Sequence, residues 1–370
     1  QSNGNTAFSI GNRLRLLLTL RAYRGDDAAT GHAAALPPPA RVFREVHMPH
    51  ILITGAAGFI GSHLSEALLA RGDTVTALDN FNDYYPPEIK RANISTCRAN
   101  PQFTLHEIDI CNAELTTHLI EATKPDVIVH LAARAGVRPS LDNPNLHHVN
   151  VIGTQNVLDA ARAAKPSHLV MASSSSVYGG LKDVPFHEGL DVSCPISPYA
   201  ATKRMNELMA RVYHETYGLH VTMLRIFTAY GPRQRPDMAI QKFARLIEAG
   251  QPVPMYGDGT TRRDYTYIGD LIQGIVQAID TPFGYEIFNL GENRTTPFGQ
   301  LVDAVGGAWG VQPLSVGMPP QPGDVEITYA NIDKARKMLG YDPHVTLETG
   351  LREFVAWRRH LGAATTQRTA

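Results

Sequence analysis

The chain has 370 residues, 43% of them hydrophobic and 19% charged, with a net charge of −1. That length suffices for one large core with an added lobe, or for two domains. The near-neutral balance lacks the basic surplus expected of a nucleic-acid or membrane-surface partner, and no apolar run reaches the length of a membrane span.

The first 47 residues differ in texture from the rest. "NRLRLLLTLRAYRG" holds four Arg and no acid, and "AAALPPPARVFREVH" reads as a Pro/Ala linker. The apolar "LLLTL" is short for a signal core and no clear cleavage site follows, so 1–47 is expected to be a leader or disordered extension, with Met48 as the functional start. Cys97, Cys111 and Cys194 form neither a CxxC pair nor an even framework, which fits a reduced, cytoplasmic setting.

From Met48 onward, short β-branched runs alternate with helical stretches. "HILITG" (50–55) predicts a strand and "FIGSHLSEALLARG" a helix. Between them "TGAAGFIGSHL" places Gly55, Gly58 and Gly61, with Phe59 and Ile60 inside the turn. Gly55 permits the tight turn, Gly58 lets a pyrophosphate approach the backbone, and Gly61 allows close packing of helix on strand. The helix N-terminus then turns its partial positive charge to the phosphates. The next strand, "TVTALD" (74–79), ends in Asp79, 18 residues after Gly61 and followed by Asn80. A carboxylate there accepts from a ribose diol and repels a 2′-phosphate, which favours NAD over NADP.

"FTLHEID" (103–109) and "VIVHLAA" (127–133) are the third and fourth strands. Their ends, Asp109 with Ile110 and Leu131 with Ala132 and Ala133, fall where the adenine and ribose edges of a dinucleotide lie. Asn150, in the helical stretch 143–164, is either a polar group of the core or a brace for the cofactor site. "HLVMAS" (168–173) predicts a strand that runs into "SSSSVYGG", so the Ser/Gly run is a strand end and not a tether.

The helical stretch 197–218 begins "SPYAATKRMNEL". Ser197 suits the cap, Pro198 the first turn, and Tyr199 and Lys203 share one face four residues apart. A Tyr titrates near 10, too high for a base at neutral pH, unless a fixed ammonium and a cationic nicotinamide stabilise its phenolate. "HVTMLRIF" (220–227) is a further strand. Beyond residue 228 the chain turns to loops rich in Pro, Gly and Arg, while "LIQGIVQAI" and "YEIFNLG" read as a helix and strand returning to the main sheet.

The expected architecture is α/β: a doubly wound parallel sheet (Rossmann fold) with a smaller, discontinuous C-terminal lobe. The dinucleotide-binding domain is expected at 48–228 with 266–297 returning to it, the substrate lobe at 229–265 and 298–360, and a tail at 361–370.

The order TGxxGxxG, HLAA, SSxxVYG, YxxxK and "RRDYTYIGD" resembles the extended short-chain dehydrogenase/reductase family. Within it, "LDNFNDYYPPEIKRANI", "HLAARAGVRPSLDNP", "YGPRQRPDMAI" and "QPGDVEITYAN" are similar to nucleotide-sugar 4-epimerases, the UDP-glucuronate 4-epimerases above all. The resemblance implies Ser174 bonded to the sugar O4, Tyr199 as its base, and Lys203 on the nicotinamide ribose. It implies a tightly held NAD, no metal, and a 4-keto sugar that turns over and is reduced on its other face. Related dehydratases and decarboxylases carry an acid just after the catalytic Ser/Thr; Ser175 and Ser176 offer only hydroxyls, which disfavours those reactions.

For the UDP-sugar, the resemblance places Arg263 on the phosphates, Tyr256 near uracil and Asp324 on the nucleotide ribose. Thr228, Ser175, Ser176 and Arg235 are then the positions expected to receive a hexuronate carboxylate. Gln321 stands where many neutral-sugar epimerases have Arg, which supports the uronate assignment. The alternatives are a UDP-glucose/UDP-galactose-type epimerase and a non-catalytic dinucleotide sensor, the latter disfavoured because Tyr199 and Lys203 are both present. A homodimer through 143–164 and 197–218 is also implied.

Overall fold

The structure, a computed structural model, describes residues 48–320 and 324–368. The expected leader at 1–47 and the Gln321 position lie outside the described residues.

The first half alternates strand and helix. The elements are β1 (His50–Thr54), α1 (Phe59–Arg71), β2 (Thr74–Asp79), α2 (Pro87–Asn93), β3 (Phe103–Glu107), α3 (Ala113–Thr123), β4 (Val127–His130), α4 (Val137–Asp142), α5 (His148–Ala164), β5 (His168–Ser174) and α6 (Pro198–Tyr217). There follow β6 (Val221–Ile226), β7 (Thr228–Tyr230), α7 (Ala239–Glu248), β8 (Val253–Tyr256), β9 (Arg262–Arg263), β10 (Tyr265–Tyr267), α8 (Ile268–Asp280), β11 (Tyr285–Leu290), β12 (Thr296–Pro297), α9 (Phe298–Trp309), β13 (Ser315–Met318), α10 (Asp333–Leu339) and α11 (Leu347–Arg368). The expected tail at 361–370 is thus helical as far as Arg368, since no proline interrupts α11.

Seven parallel strands form the central sheet in the order β11-β6-β5-β4-β1-β2-β3. Strand order reverses between β1 and β4, which opens a crevice at the carboxyl ends of the strands. Both faces are covered, so the central strands are largely apolar: Ile51, Leu52 and Ile53 are fully buried. Leu64 and Leu68 of α1 pack with Leu271 and Ile275 of α8 on one face. Leu119, Val157 and Tyr213, from α3, α5 and α6, cover the other. Each such aliphatic side chain removed from water contributes about 1.5–3 kcal/mol, which makes this sheet the rigid floor of the molecule.

A separate core gathers Tyr230, Phe243, Leu301, Val305, Leu351 and Phe354 from β7, α7, α9 and α11. Helix α8 and strand β11 return to the main sheet. Ala330, Ile332, Leu339 and Tyr341, expected in the lobe, pack into the core under α1 and α8.

Local chemistry sets the helix ends that matter for function. Helix α1 stops at Gly72, whose φ of 100° lets its N–H reach back to Leu68 and Leu69. Helix α6 starts where the Ser197 hydroxyl accepts from the Ala200 N–H at 3.1 Å, with Pro198 in its first turn.

Candidate active site

A cavity of about 800 Å³ opens along the carboxyl ends of β1, β2, β4, β5 and β6. Its floor begins with the glycine turn. Gly55 has φ 71°, and a Cβ there would stand 2.8 Å from the backbone of Ala132. A Cβ on Gly61 would stand 2.2 Å from the Gly55 carbonyl oxygen. Helix α1 has no side-chain cap at Gly58, so its first amides are available to an anion.

Asp79, at the end of β2, lines the same cavity. It also holds the turn, accepting from the Ala57 N–H at 3.1 Å and the Phe81 N–H at 2.9 Å. Burial raises its pKa, and those two bonds oppose the rise. Phe59, Ile60, Asn80, Ile110, Leu131, Ala132 and Ala133 complete this end of the cavity. Asp109 is not among its lining residues; its carboxylate accepts from Asn80 Nδ2 at 2.9 Å and orients that side chain. These residues fit the expected dinucleotide, because the backbone comes within reach only where a Cβ is missing.

Asn150 is fully buried and is not among the residues that line the cavity. Its Oδ1 accepts from the Arg134 N–H at 2.8 Å, and its Nδ2 donates to the Arg134 carbonyl at 3.0 Å and to Thr202 Oγ1 at 3.1 Å. It thereby ties the segment after β4 to α6.

Three side chains meet over the end of β5. Ser174 stands beside the Tyr199 hydroxyl, and its Oγ accepts from the Ser176 N–H at 3.2 Å and from Ser176 Oγ at 2.9 Å. Burial pushes the Tyr199 pKa up, while the Ser174 hydroxyl and the positive field of Arg235 pull it down. Lys203 stands one turn along α6, but its Nζ donates to the Ala172 carbonyl at 2.8 Å. Arg235 is thus a cation acting on Tyr199 that the YxxxK spacing did not point to. Burial brings the Lys203 pKa down to about 8, with Glu207 opposing the fall.

The far side of the cavity is cationic. Ser175, Ser176, Thr228, Arg235, Tyr256, Arg263 and Asp324 all line it, drawn from the helical turn after β5, from β7, β8 and β9, and from two loops. Asp237 grips Arg235 with two bonds, Nε to Oδ1 and Nη2 to Oδ2, each 2.9 Å. Arg263 and Asp324, expected on phosphate and ribose separately, form an ion pair with each other. Arg138 lies 3.6 Å from the same Asp324 carboxylate and over the Tyr256 ring at 5.7 Å.

Sequence reasoning passed over Arg134, Arg138, Lys242 and Tyr84, which also line the cavity. Arg134 and Arg138 follow directly on "HLAA", and their place just beyond a strand's carboxyl end was the signal available. Lys242 lies in α7 and carried no such mark.

The family model described as GDP-mannose 4,6 dehydratase matches residues 52–354. The UDP-glucuronate 4-epimerase of Thermodesulfobacterium geofontis is 39% identical over 314 residues, covering 84% of this chain and 97% of that one. UDP-glucuronate 4-epimerase 1 of Arabidopsis thaliana is 43% identical over 328 residues, covering 83% and 76%. The crystal structure of UDP-glucuronic acid 4-epimerase from Bacillus cereus, in complex with UDP-glucuronic acid and NAD, superposes with a TM-score of 0.79 at 35% identity, covering 84% of this chain and 99% of that one.

Proposed function

The chain belongs to the GDP-mannose 4,6 dehydratase family of extended short-chain dehydrogenases/reductases, and on that premise we propose that it interconverts UDP-glucuronate and UDP-galacturonate. The observation that carries the reading is one cavity that joins Ser174, Tyr199 and Lys203 to Arg235, with hydroxyls alone at 175 and 176. Tyr199 takes the proton from the sugar O4 while Ser174 holds that oxygen. Lys203 binds the cofactor ribose and, while charged, favours the phenolate. The NAD held by Gly55, Gly58, Gly61, Asp79 and the residues around them supplies a reversible hydride acceptor for C4. The sugar passes through a 4-keto form, and no acid at 175 or 176 is present to divert it at C5 or C6. Arg235, Tyr256, Arg263 and Asp324, which line the same cavity, receive the nucleotide sugar.

Asp237 occupies the Nε/Nη2 edge of Arg235, so a hexuronate carboxylate is read by its Nη1 side together with Thr228 and the two serines. That same grip is the observation favouring the alternative, a neutral UDP-hexose epimerase in which Arg235 is already neutralised. Incubation with UDP-glucuronate and with UDP-glucose, followed by NMR, separates them. UDP-galacturonate is the expected product, with slower turnover of UDP-glucose; equal turnover sinks the uronate assignment, and a UDP-pentose product sinks the epimerase.

A homodimer and cytoplasmic residence belong to the same reading. Ile152 on α5 and Met205, Leu208 and Val212 on α6 are large apolar side chains about half exposed, which supports pairing of these helices across two copies. Light scattering at micromolar concentration is expected to give a dimer, and a monomer overturns it. The three cysteines form no disulfide, and among the described residues no helix is long and apolar enough to cross a membrane.

A further inference from the structure

We propose that Glu207 and Arg225, a buried ion pair outside the cavity, are positioning residues for the reaction: they fix the end of β5 against α6 and set where Ser174 and Lys203 stand relative to Tyr199. The proposal rests on the roles given above to those three residues.

Glu207 is fully buried and Arg225 is 1% exposed, yet neither lines the cavity. Arg225 forks onto the carboxylate, Nε to Oε1 at 2.8 Å and Nη2 to Oε2 at 2.9 Å. The Ser173 hydroxyl donates to the same Oε1 at 2.7 Å, and Arg204 Nη1 to Oε2 at 3.0 Å. In the sheet, Ser173 is the register partner of Arg225, and Ser174 that of Ile226. One carboxylate on α6 therefore grips two adjacent strands at the level where Ser174 emerges. Lys203, one turn before Glu207, holds the Ala172 carbonyl on the same strand end. Two consecutive strand residues are thus fixed to one helix, Ala172 by Lys203 and Ser173 by Glu207, and Ser174 follows them directly beside Tyr199.

The other end of the guanidinium anchors the assembly to the sheet edge. Arg225 Nη1 donates to the Tyr178 hydroxyl at 3.1 Å, and Tyr178 donates to Asn289 Oδ1 at 2.7 Å on β11. A buried ion pair is weak evidence for stability, because apolar side chains of similar volume often replace one without loss. Its position against the reacting groups is the stronger reason for its presence.

The pair has an electrostatic consequence too. The charged or titratable groups around Lys203 are Tyr199 and Glu207 on its own helix and His130 on β4. Burial drives the His130 pKa down to about 3, so that ring is neutral at working pH. Glu207 is the anion that opposes burial of the Lys203 ammonium. Removing its charge lowers the Lys203 pKa further, so Lys203 loses its proton at a lower pH than in the parent.

The test uses the full chain and four substitutions. Glu207→Gln is expected to lower kcat about tenfold on both UDP-sugars with KM little changed, since small misplacements act on the reacting step. The alkaline limb of its kcat profile moves about one pH unit lower, and an NMR titration of the 15N-labelled Lys203 amine moves with it. Glu207→Asp keeps the charge and is expected to return the alkaline limb to the parental pH. Ser173→Ala cuts only the link to the strand, so kcat falls a few-fold with no change in the limb. A folded Glu207→Gln protein with parental kcat and an unmoved titration overturns the proposal. If that variant does not fold, Ser173→Ala decides, and parental kcat there overturns it. Tyr199→Phe tests the underlying site: if it stays active, the site reading fails, while the Lys203 titration still reports on Glu207 because it needs no turnover.

Discussion

The two ends of the cavity are built on different principles. At the β1–α1 turn the surface is backbone: Gly55, Gly58 and Gly61 clear the space, helix amides face it, and Asp79 is locked by two N–H groups. At the opposite end it is side chain: Arg138, Arg235 and Arg263 come from α4, the β7–α7 loop and β9, with Asp237 beside Arg235 and Asp324 shared by the other two. A backbone site is rigid and indifferent to which sugar follows. A side-chain site is set by a few charges, and those charges decide the substrate.

The reacting residues sit at the seam, where the contrast can be broken outright. Tyr199→Phe is expected to lower turnover of both UDP-sugars about 10³-fold, the loss of a positioned base, with NAD content unchanged. Loss of NAD in that variant would show that the two ends are not separable. Arg235→Ala comes next. It is expected to cost the uronate about 100-fold in kcat/KM, of the order of a truncated buried charge contact. UDP-glucose should lose much less, although Tyr199 also loses a cation that favours its phenolate. Equal losses on the two substrates would move Arg235 from selecting the sugar to tuning Tyr199.

Gly61→Ala tests the backbone end. The added methyl meets the Gly55 carbonyl oxygen at 2.2 Å, and neither partner is a flexible side chain. The strain is expected to cost about 2 kcal/mol of stability, read as a lower Tm, with weaker NAD retention. Gly180→Ala is the control, because a Cβ there meets nothing within 4 Å. The KM for the UDP-sugar, measured with NAD saturating, should not move in either variant.

The same division explains what could be read from the sequence. Strands β1, β2 and β5 fall within one residue of their expected limits, because a sheet covered on both faces needs unbroken apolar runs. Strand β4 ends at His130, not 133, since the Ala132 N–H turns to the Thr54 side chain at 3.2 Å and leaves the ladder. The glycine turn and the Tyr199–Lys203 spacing are local and were legible. The partners of Lys203 and Arg235 were not: Ala172 and Asp237 are chosen by how α6 and the β7–α7 loop dock, and no spacing rule encodes that. Arg138 went unread for the same reason, its role depending on Tyr256 and Asp324 far along the chain.

Asp324 offers the smallest and most discriminating change. It pairs with Arg263 and approaches Arg138, so without nucleotide it holds two cations across the cavity mouth. The carboxylate is 32% exposed, and pairs in such settings contribute only about 0–1 kcal/mol. Two effects oppose each other in Asp324→Asn: the arginines lose their orientation, but they no longer have to leave a carboxylate to meet a diphosphate. If orientation wins, KM rises a few-fold at constant kcat, and the rise persists in high salt because geometry is not screened. If competition wins, KM falls, and the gain shrinks as salt is added. We expect the rise, since Asp324 is the carboxylate that orients both arginines. A fall would mean that the substrate end spends binding energy on breaking its own ion pairs, which the backbone end never has to do.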